Sequence, residues 1–451
     1  MNILGIIAEF NPLHTGHEYL IRRLRRETGA EFCVVVMSGD YVQRGEPAFF
    51  AKSLRTKAAL LSGADLVLEL PLSVSTGSAE YFAAGAVSLL DRLGCVTHLG
   101  FGSENGCTHD FGLAGKLLAG EPEDYRELLR KNLKAGMSFP KARYEALSAY
   151  LTMSGTGISE DISAVLPLLK TPNNILGTEY CKALHRLHSS IVPVTLNRLG
   201  AGYHEEIDSA KANTPCQDNS DAESVLCTEN SSAAESFPQT ENYASASGLR
   251  QAFLHTPSSE YTETLLQNYV PESCHSLYRN ALRQKQFVTF DDFFLPLYYT
   301  LQYSDVETLS LCQDVTPAFS ERLLHHFRHC SCTTELCNAL KTKNLTSARI
   351  NRSLLHILLH LTKDAIAAEK EQGYSLYARI LGFREEAGPL LSRIKQQTSI
   401  PLVSKPADAP GYLSPSALSQ LEQTAKASEL YRTVLPGPGS ESEYSQNIIV
   451  L

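Results

Sequence analysis

Two histidines near the start of the chain have the clearest chemical use. His14 and His17, separated by Thr15-Gly16, follow an apolar run Ile3–Ala8 and the segment Glu9-Phe10-Asn11-Pro12-Leu13. A strand that ends in a turn and reopens as a helix with histidines in its first turn reads as a nucleoside triphosphate site. Side chains three apart on a helix project toward one point, and a glycine between them lets a phosphate approach the backbone. The first N–H groups of a helix are unpaired and carry partial positive charge, so an anion is stabilised there. Two imidazole donors could then stabilise charge growing on an α-phosphate during nucleotidyl transfer, which is electrostatic rather than covalent catalysis.

The elements that must position this pair can be read from apolar patterning. Strand-like runs at Asn2–Phe10, Glu31–Ser38, Ala64–Leu70 and Cys95–Phe101 alternate with helical patterns at His14–Arg26, Ala51–Leu61 and Ser78–Leu93. Continuous Val/Ile/Leu strands separated by amphipathic helices predict an α/β fold, a doubly wound parallel sheet with helices on both faces. Ligands on such sheets bind beyond the carboxyl ends of the strands. The segments Asn11–His17, Gly39–Pro47, Pro71–Gly77 and Gly100–Gly106 all fall at that end, which predicts one shared cleft. Residues from about 107 to 170 read as a helical insertion, and Ile191–Leu196 as a further strand. Asp208–Thr240, rich in Ser, Asn, Thr and acids, is expected to be a disordered acidic loop. From Thr264 to the end helical periodicity dominates, and no internal repeat is visible. The expected domains are 1–263 for catalysis and 264–451 for a mainly α-helical C-terminal half.

Bulk properties narrow the class. With 451 residues, 20% charged and 43% apolar, the chain can bury a large core and has the composition of a soluble globular protein. No stretch is long and apolar enough to span a bilayer, and the N-terminal apolar run lacks a basic leader and is cut by Asn11-Pro12. Eleven cysteines in no regular framework point to reduced thiols and a cytoplasmic location. The formal charge of −9 is unevenly spread. Residues 205–240 hold eight acids against Lys211, whereas 321–405 hold 13 Lys/Arg against 7 Asp/Glu, with five His besides. That local basic excess is consistent with a phosphate-backbone partner.

Further residues fall near the expected cleft. Gly102, in Gly100-Phe101-Gly102-Ser103-Glu104, permits close approach of a base or ribose. Asn173 and Asn174 offer carboxamides to an adenine edge or a ribose hydroxyl, or equally a helix cap. Arg198 follows a strand and can hold a phosphate in a bidentate fashion. In Ser245-Ala246-Ser247-Gly248-Leu249-Arg250, Ser247 reads as an N-cap whose N–H groups face phosphates, with Arg250 adding charge. Arg44 or Lys52 could bind a carboxylate or RNA, and Asp40 could orient a histidine. The cluster His325, His326, His329, Cys330, Cys332 and Cys337 lacks the spacing of paired zinc knuckles and reads as a helix end. No Asp/Glu cluster marks a dedicated metal site, so no metal-ligating residue is assigned; Mg²⁺ is expected only in company with ATP.

The histidine motif resembles those of the HIGH-type nucleotidylyltransferases. Met37-Ser38-Gly39-Asp40-Tyr41-Val42-Gln43-Arg44-Gly45-Glu46-Pro47-Ala48, Pro172-Asn173-Asn174-Ile175-Leu176-Gly177, Asn197-Arg198-Leu199-Gly200-Ala201-Gly202-Tyr203-His204 and Tyr377-Ala378-Arg379-Ile380-Leu381-Gly382-Phe383 look like those of the tRNA(Met) cytidine acetate ligase family. This resemblance covers nearly all the chain apart from one insertion. It implies a HUP/Rossmann-like nucleotidylyltransferase domain and a ligase that activates acetate with ATP. The acetyl group would pass to the wobble cytidine of elongator tRNA(Met), giving N4-acetylcytidine. It implies catalysis by His14 and His17, with ATP contacts along Ile7, Ala8, Glu9, Phe10, Asn11, Pro12, Leu13, Thr15, Gly16, Glu18, Tyr19 and Leu20. Further ATP contacts are implied at Gly102, Asn173 and Arg198, and phosphate contacts are expected at Ser247 and Arg250. Arg349, Arg352, Arg379, Arg384 and Lys395 are candidates for the tRNA surface. A nucleotidylyltransferase or acyl-adenylate ligase acting on a small metabolite is the alternative, since it would use the same first motif.

Overall fold

The computed structural model describes residues 1–153, 165–198, 245–255, 258–343, 345–437 and 441–451. The expected acidic loop Asp208–Thr240 lies outside them. Ten strands are present among the described residues: β1 (Ile3–Ala8), β2 (Phe32–Ser38), β3 (Tyr41–Val42), β4 (Glu46–Pro47), β5 (Leu66–Leu70), β6 (His98–Ser103), β7 (Val192–Asn197), β8 (Ala378–Phe383), β9 (Leu402–Val403) and β10 (Ile449–Val450). The main sheet runs β10-β8-β5-β2-β1-β6-β7, with β9 beside β8. β1 is parallel to β2, Ile3 opposite Phe32, and to β6, Leu4 opposite His98. The chain thus leaves β1 toward β2 and β5 on one side and returns to β6 and β7 on the other. That reversal opens a crevice at the carboxyl end of β1.

Side-chain alternation divides the core between the two sheet faces. Ile3, Val34, Val36, Leu66 and Leu68 pack under the helix Ala79–Arg92. Leu4, Ile6, Cys33, Val35 and Val67 face α1 (Thr15–Thr28) and α2 (Lys52–Leu61), and share that layer with Leu249, Phe253 and Tyr278 from later in the chain. The insertion contributes helices Thr108–Gly120, Glu123–Lys134 and Phe139–Met153. Nine cysteines are free among the described residues.

The C-terminal half is mainly helical, as expected, and it also holds three strands that the sequence does not announce. β8 pairs antiparallel with β5, Leu66 opposite Phe383, and β9 and β10 flank β8. The last third of the chain therefore finishes the N-terminal sheet. A lone strand of six residues among helices carries too little pattern to be recognised without the edge it covers. The remainder is helical, with its own core of Phe293, Leu297, Phe319, Leu323, Leu354 and Leu355. This bundle meets the hairpin β3-β4 at Gly45, whose φ is +78°. A Cβ there would stand 2.2 Å from the Arg352 backbone nitrogen, so only glycine permits the contact.

Candidate active site

The segment after β1 is held by groups from far along the chain. Fully buried Arg55 donates from Nη1 to Glu9 O at 2.7 Å and Ser38 O at 3.0 Å, and from Nε to Phe50 O at 2.9 Å; Nη2 bonds Gly39 O. One guanidinium thereby gathers the ends of β1 and β2 through carbonyls alone. Tyr278 Oη accepts from Leu13 N–H at 3.1 Å and donates to Leu13 O at 3.2 Å. Asn11 Oδ1 accepts from Phe49 N–H at 2.7 Å. Phe10 is held at φ +48°, an uncommon conformation for a bulky residue, and its ring meets His17 edge-on at 5.1 Å.

These supports present the two histidines in one orientation. His14 is the N-cap of α1, and its Nδ1 accepts from Gly16 N–H at 3.1 Å. His17 Nδ1 accepts from His14 N–H at 3.3 Å. With both Nδ1 atoms acting as acceptors, each neutral ring carries its proton on Nε2. The rings lie 3.8 Å apart, centroid to centroid. Burial, reinforced by the Arg198 charge, pushes the His14 pKa down to about 3. Burial, His14 and Arg198 likewise hold His17 well below the ordinary histidine range. The free site thus offers two Nε2–H donors at neutral pH.

The secondary residues divide between cavity and scaffold. Arg198 follows β7, its N–H donating to Ser103 O at 2.9 Å, and a Cβ on Gly102 would lie 3.3 Å from Arg198 Cγ. Glu104, which the sequence reading passed over as a site residue, accepts from Asn173 Nδ2 at 2.7 Å and Asn174 N–H at 3.0 Å. Asn174 is buried, and its Oδ1 accepts from Glu104 N–H at 2.9 Å, so the second carboxamide is structural. The N-cap of helix Ala246–Leu254 is Ser245 rather than the expected Ser247, its Oγ accepting from Gly248 N–H at 3.0 Å. Arg250 Nη1 donates to Asn11 O at 2.6 Å, tying this helix to the histidine loop.

One cavity of about 1110 Å³ is lined by Glu9, His14, His17, Gly102, Asn173, Arg198, Ser247 and Arg250, and also by Arg44, Thr346, Arg349 and Arg352. Ile7, Ala8, Phe10, Asn11, Gly16, Tyr19 and Leu20 also line it, whereas Pro12, Leu13, Thr15 and Glu18 do not. Of the five basic residues expected at the tRNA surface, Arg349 and Arg352 line the cavity, and Arg352 Nε bonds Asp314 at 2.9 Å. Arg379 is buried in an ion cluster with Glu69 and Glu443, so it does not present itself to RNA. Arg384 and Lys395 sit near the starting ends of the parallel strands, away from the cavity. There Arg384 N–H donates to Asp65 O at 2.9 Å, and the helix carrying Lys395 ends against Gly94.

Asp40 and Lys52 are buried off the cavity wall, Asp40 Oδ1 accepting from Lys52 N–H at 2.8 Å. The Arg55 and Tyr278 clamps had no local signal, because a charge or phenol in a helix reads as a surface group until its distant partners are known. Among the described residues no group of three His, Cys, Asp or Glu could hold a metal ion, and no helix is long and apolar enough to cross a membrane.

Comparison with known proteins agrees with this geometry. The HIGH Nucleotidyl Transferase family model matches residues 1–214 and 207–447. A tRNA(Met) cytidine acetate ligase of Acetivibrio thermocellus is 34% identical over 454 residues, covering 100% of both chains. The Clostridium kluyveri protein of the same name is 36% identical over 90% of each chain. Thermotoga maritima TmcAL bound with alpha-thio ATP superposes with a TM-score of 0.84 at 25% identity, covering 100% of this chain and 99% of that one. Its apo form gives a TM-score of 0.85 at 26% identity, covering 100% of both chains. By fold, motif and full-length similarity, this chain belongs to the tRNA(Met) cytidine acetate ligase family of HIGH nucleotidyl transferases.

Proposed function

We propose that this protein activates acetate with ATP and transfers the acetyl group to the wobble cytidine of elongator tRNA(Met), forming N4-acetylcytidine. One observation carries the reading. The His14/His17 pair opens into a cavity whose wall includes Arg349 and Arg352 of the later helical region. A small-metabolite transferase would not need that part of the wall, whereas an RNA acceptor arriving over the helical half would meet it.

In this reading an acetate oxygen attacks the α-phosphorus of ATP and pyrophosphate leaves. The two Nε2–H groups donate to the α-phosphate oxygens as their charge grows. Ser247 and Arg250 face the outer phosphates at the start of helix Ala246–Leu254, and Arg198 adds a second cation. Asn173 and Gly102 bound the nucleoside end. The described side chains do not form a carboxylate cage, so magnesium is proposed only as part of the nucleotide substrate, where it screens phosphate charge. The cytidine is drawn out of the anticodon stack to reach the mixed anhydride, and closure over the cavity keeps water from it. A cytoplasmic location follows from such a substrate.

The test is transfer of radiolabelled acetate to a tRNA(Met) transcript with ATP, comparing the native chain with His14→Ala. Label on the tRNA that requires both ATP and His14 is expected. Pyrophosphate exchange without label on tRNA would keep adenylation and reject this acceptor.

A further inference from the structure

Five carboxylates line the cavity: Glu9, Glu46, Glu80, Glu179 and Asp314. Four are committed to other side chains. Glu80 pairs with Lys182 at 2.8 Å and Arg186 at 3.0 Å, and Glu179 pairs with Arg143. Asp314 pairs with Arg352 at 2.9 Å, and Glu46 accepts from Asn351 Nδ2 at 2.9 Å while standing 4.0 Å from Arg250. Glu9 alone among the five has neither an ion pair nor a side-chain hydrogen-bond partner among the described residues. Its Oε1 accepts from Gln43 N–H at 2.8 Å, which fixes the carboxyl group while leaving it a proton acceptor. It is also the only one of the five on the segment that carries His14 and His17, immediately after β1.

We propose that Glu9 is the general base of acyl transfer, taking the proton from the exocyclic amine of the acceptor base as that amine attacks the acetyl carbonyl. This rests on the function proposed above. The amine of cytosine is conjugated with its ring and is a poor nucleophile, so its attack needs a base within hydrogen-bond reach. The new N–C bond forms, and the bond from the carbonyl carbon to the adenylate oxygen breaks. AMP departs with the electron pair, and the amine proton passes to the Glu9 carboxylate and then to solvent.

The surroundings suit this task. Burial raises the Glu9 pKa, and that effect outweighs the Gln43 N–H and the charges of Arg44, Arg250 and Arg55 that lower it. Tyr180, on the helix Pro172–Leu187, faces it electrostatically as a neutral phenol whose own pKa is pushed up, chiefly by burial. A carboxylate made more basic without losing its acceptor geometry is what proton transfer near neutral pH requires.

The experiment supplies synthetic acetyl-adenylate and a tRNA(Met) transcript in single turnover, bypassing ATP binding and adenylation. It compares the native chain, Glu9→Gln and Glu9→Asp across pH. Glutamine keeps the oxygen that accepts from Gln43 but cannot take a proton. Glu9→Gln is expected to transfer roughly 10²- to 10⁴-fold more slowly, and without the rise of rate with pH expected of the native chain. Glu9→Asp is expected to keep that rise at a reduced rate, and its profile decides the matter should the glutamine variant fold poorly. Transfer by Glu9→Gln within about threefold of native, or an aspartate profile without the rise, refutes the base while leaving the proposed function standing. A native chain that transfers nothing from acetyl-adenylate removes the acyl transfer and its base together.

Discussion

Replacing Lys52 by methionine tests how the two halves of the chain are joined. Lys52 is 3% exposed, and its Nζ lies 2.6 Å from Glu69 Oε1, 2.7 Å from Glu443 Oε1 and 2.9 Å from Ser428 Oγ. Arg379 supplies the second cation, bonding Glu443 and standing 3.4 Å from Glu69. Burial works against the charged lysine, yet Glu443 and Glu69 overrule it and raise its pKa. The cluster sets two cations, Lys52 and Arg379, against Glu69 and Glu443, with Asp40 Oδ2 a further 3.9 Å from the Lys52 ammonium, and it is drawn chiefly from α2, β5, β8 and the C-terminal tail. Methionine fills the same stem volume and leaves two buried carboxylates sharing one arginine, a break that costs about 3–5 kcal/mol. Glu443→Gln alone is expected to cost a similar amount. The double variant restores charge balance between Glu69 and Arg379, so its cost is expected to fall about 2–4 kcal/mol short of the sum. Urea unfolding is the assay, followed by circular dichroism and tyrosine fluorescence, because the chain has 20 Tyr and no Trp. Hydrogen exchange is expected to rise at Glu443, whose N–H otherwise donates to Glu429 Oε1 at 2.6 Å. A Lys52→Met cost under about 1 kcal/mol, or additivity in the cycle, would refute the assignment of the cluster as a buried staple.

Gly45→Ala adds a methyl 2.2 Å from the Arg352 nitrogen at φ +78°, and is expected to cost roughly 2–5 kcal/mol in urea unfolding. Because it prises the β3-β4 hairpin from Arg352, it should lower acetyl transfer to tRNA more than pyrophosphate exchange. Gly102→Val displaces Arg198, whose Cγ would lie 3.3 Å from the added Cβ, and is expected to raise the KM for ATP roughly tenfold, about 1.4 kcal/mol. The buried histidines give a pH dependence of stability. Unfolded, they take up protons near pH 6.5, whereas folded His14 does so only near 3 and folded His17 is also depressed. Stability is therefore full above about 6.5 and is lost as pH falls, by up to about 1.4 kcal/mol per pH unit for each histidine. His14→Asn, which keeps a capping acceptor, should show a smaller fall in urea midpoint between pH 7.5 and 5.5 than the native chain; an equal fall would contradict this account.

The sequence by itself determined the parallel sheet, the place of the His14/His17 pair at the end of its central strand, and the family. Each is written in short-range terms: continuous apolar strands, helical spacing, and a glycine between two histidines. The cavity position of Gly102 was legible for the same reason, since Gly100–Gly106 falls at the carboxyl edge of the sheet, whereas Asn173, Arg198 and Arg250 were marked by the resemblance of their motifs to the family. Tertiary structure alone decided which charges are buried. Arg379 reads as one of many basic residues until β8 sets it beside Glu69 and Glu443. Arg55 reads as a helix-surface residue until the carbonyls of β1 and β2 surround it. Tyr278, 265 residues from Leu13, reads as ordinary helix until it clamps the histidine loop. Local patterning reports which way a side chain can point; whether a charge can be buried depends on partners that only the folded chain brings within hydrogen-bond reach.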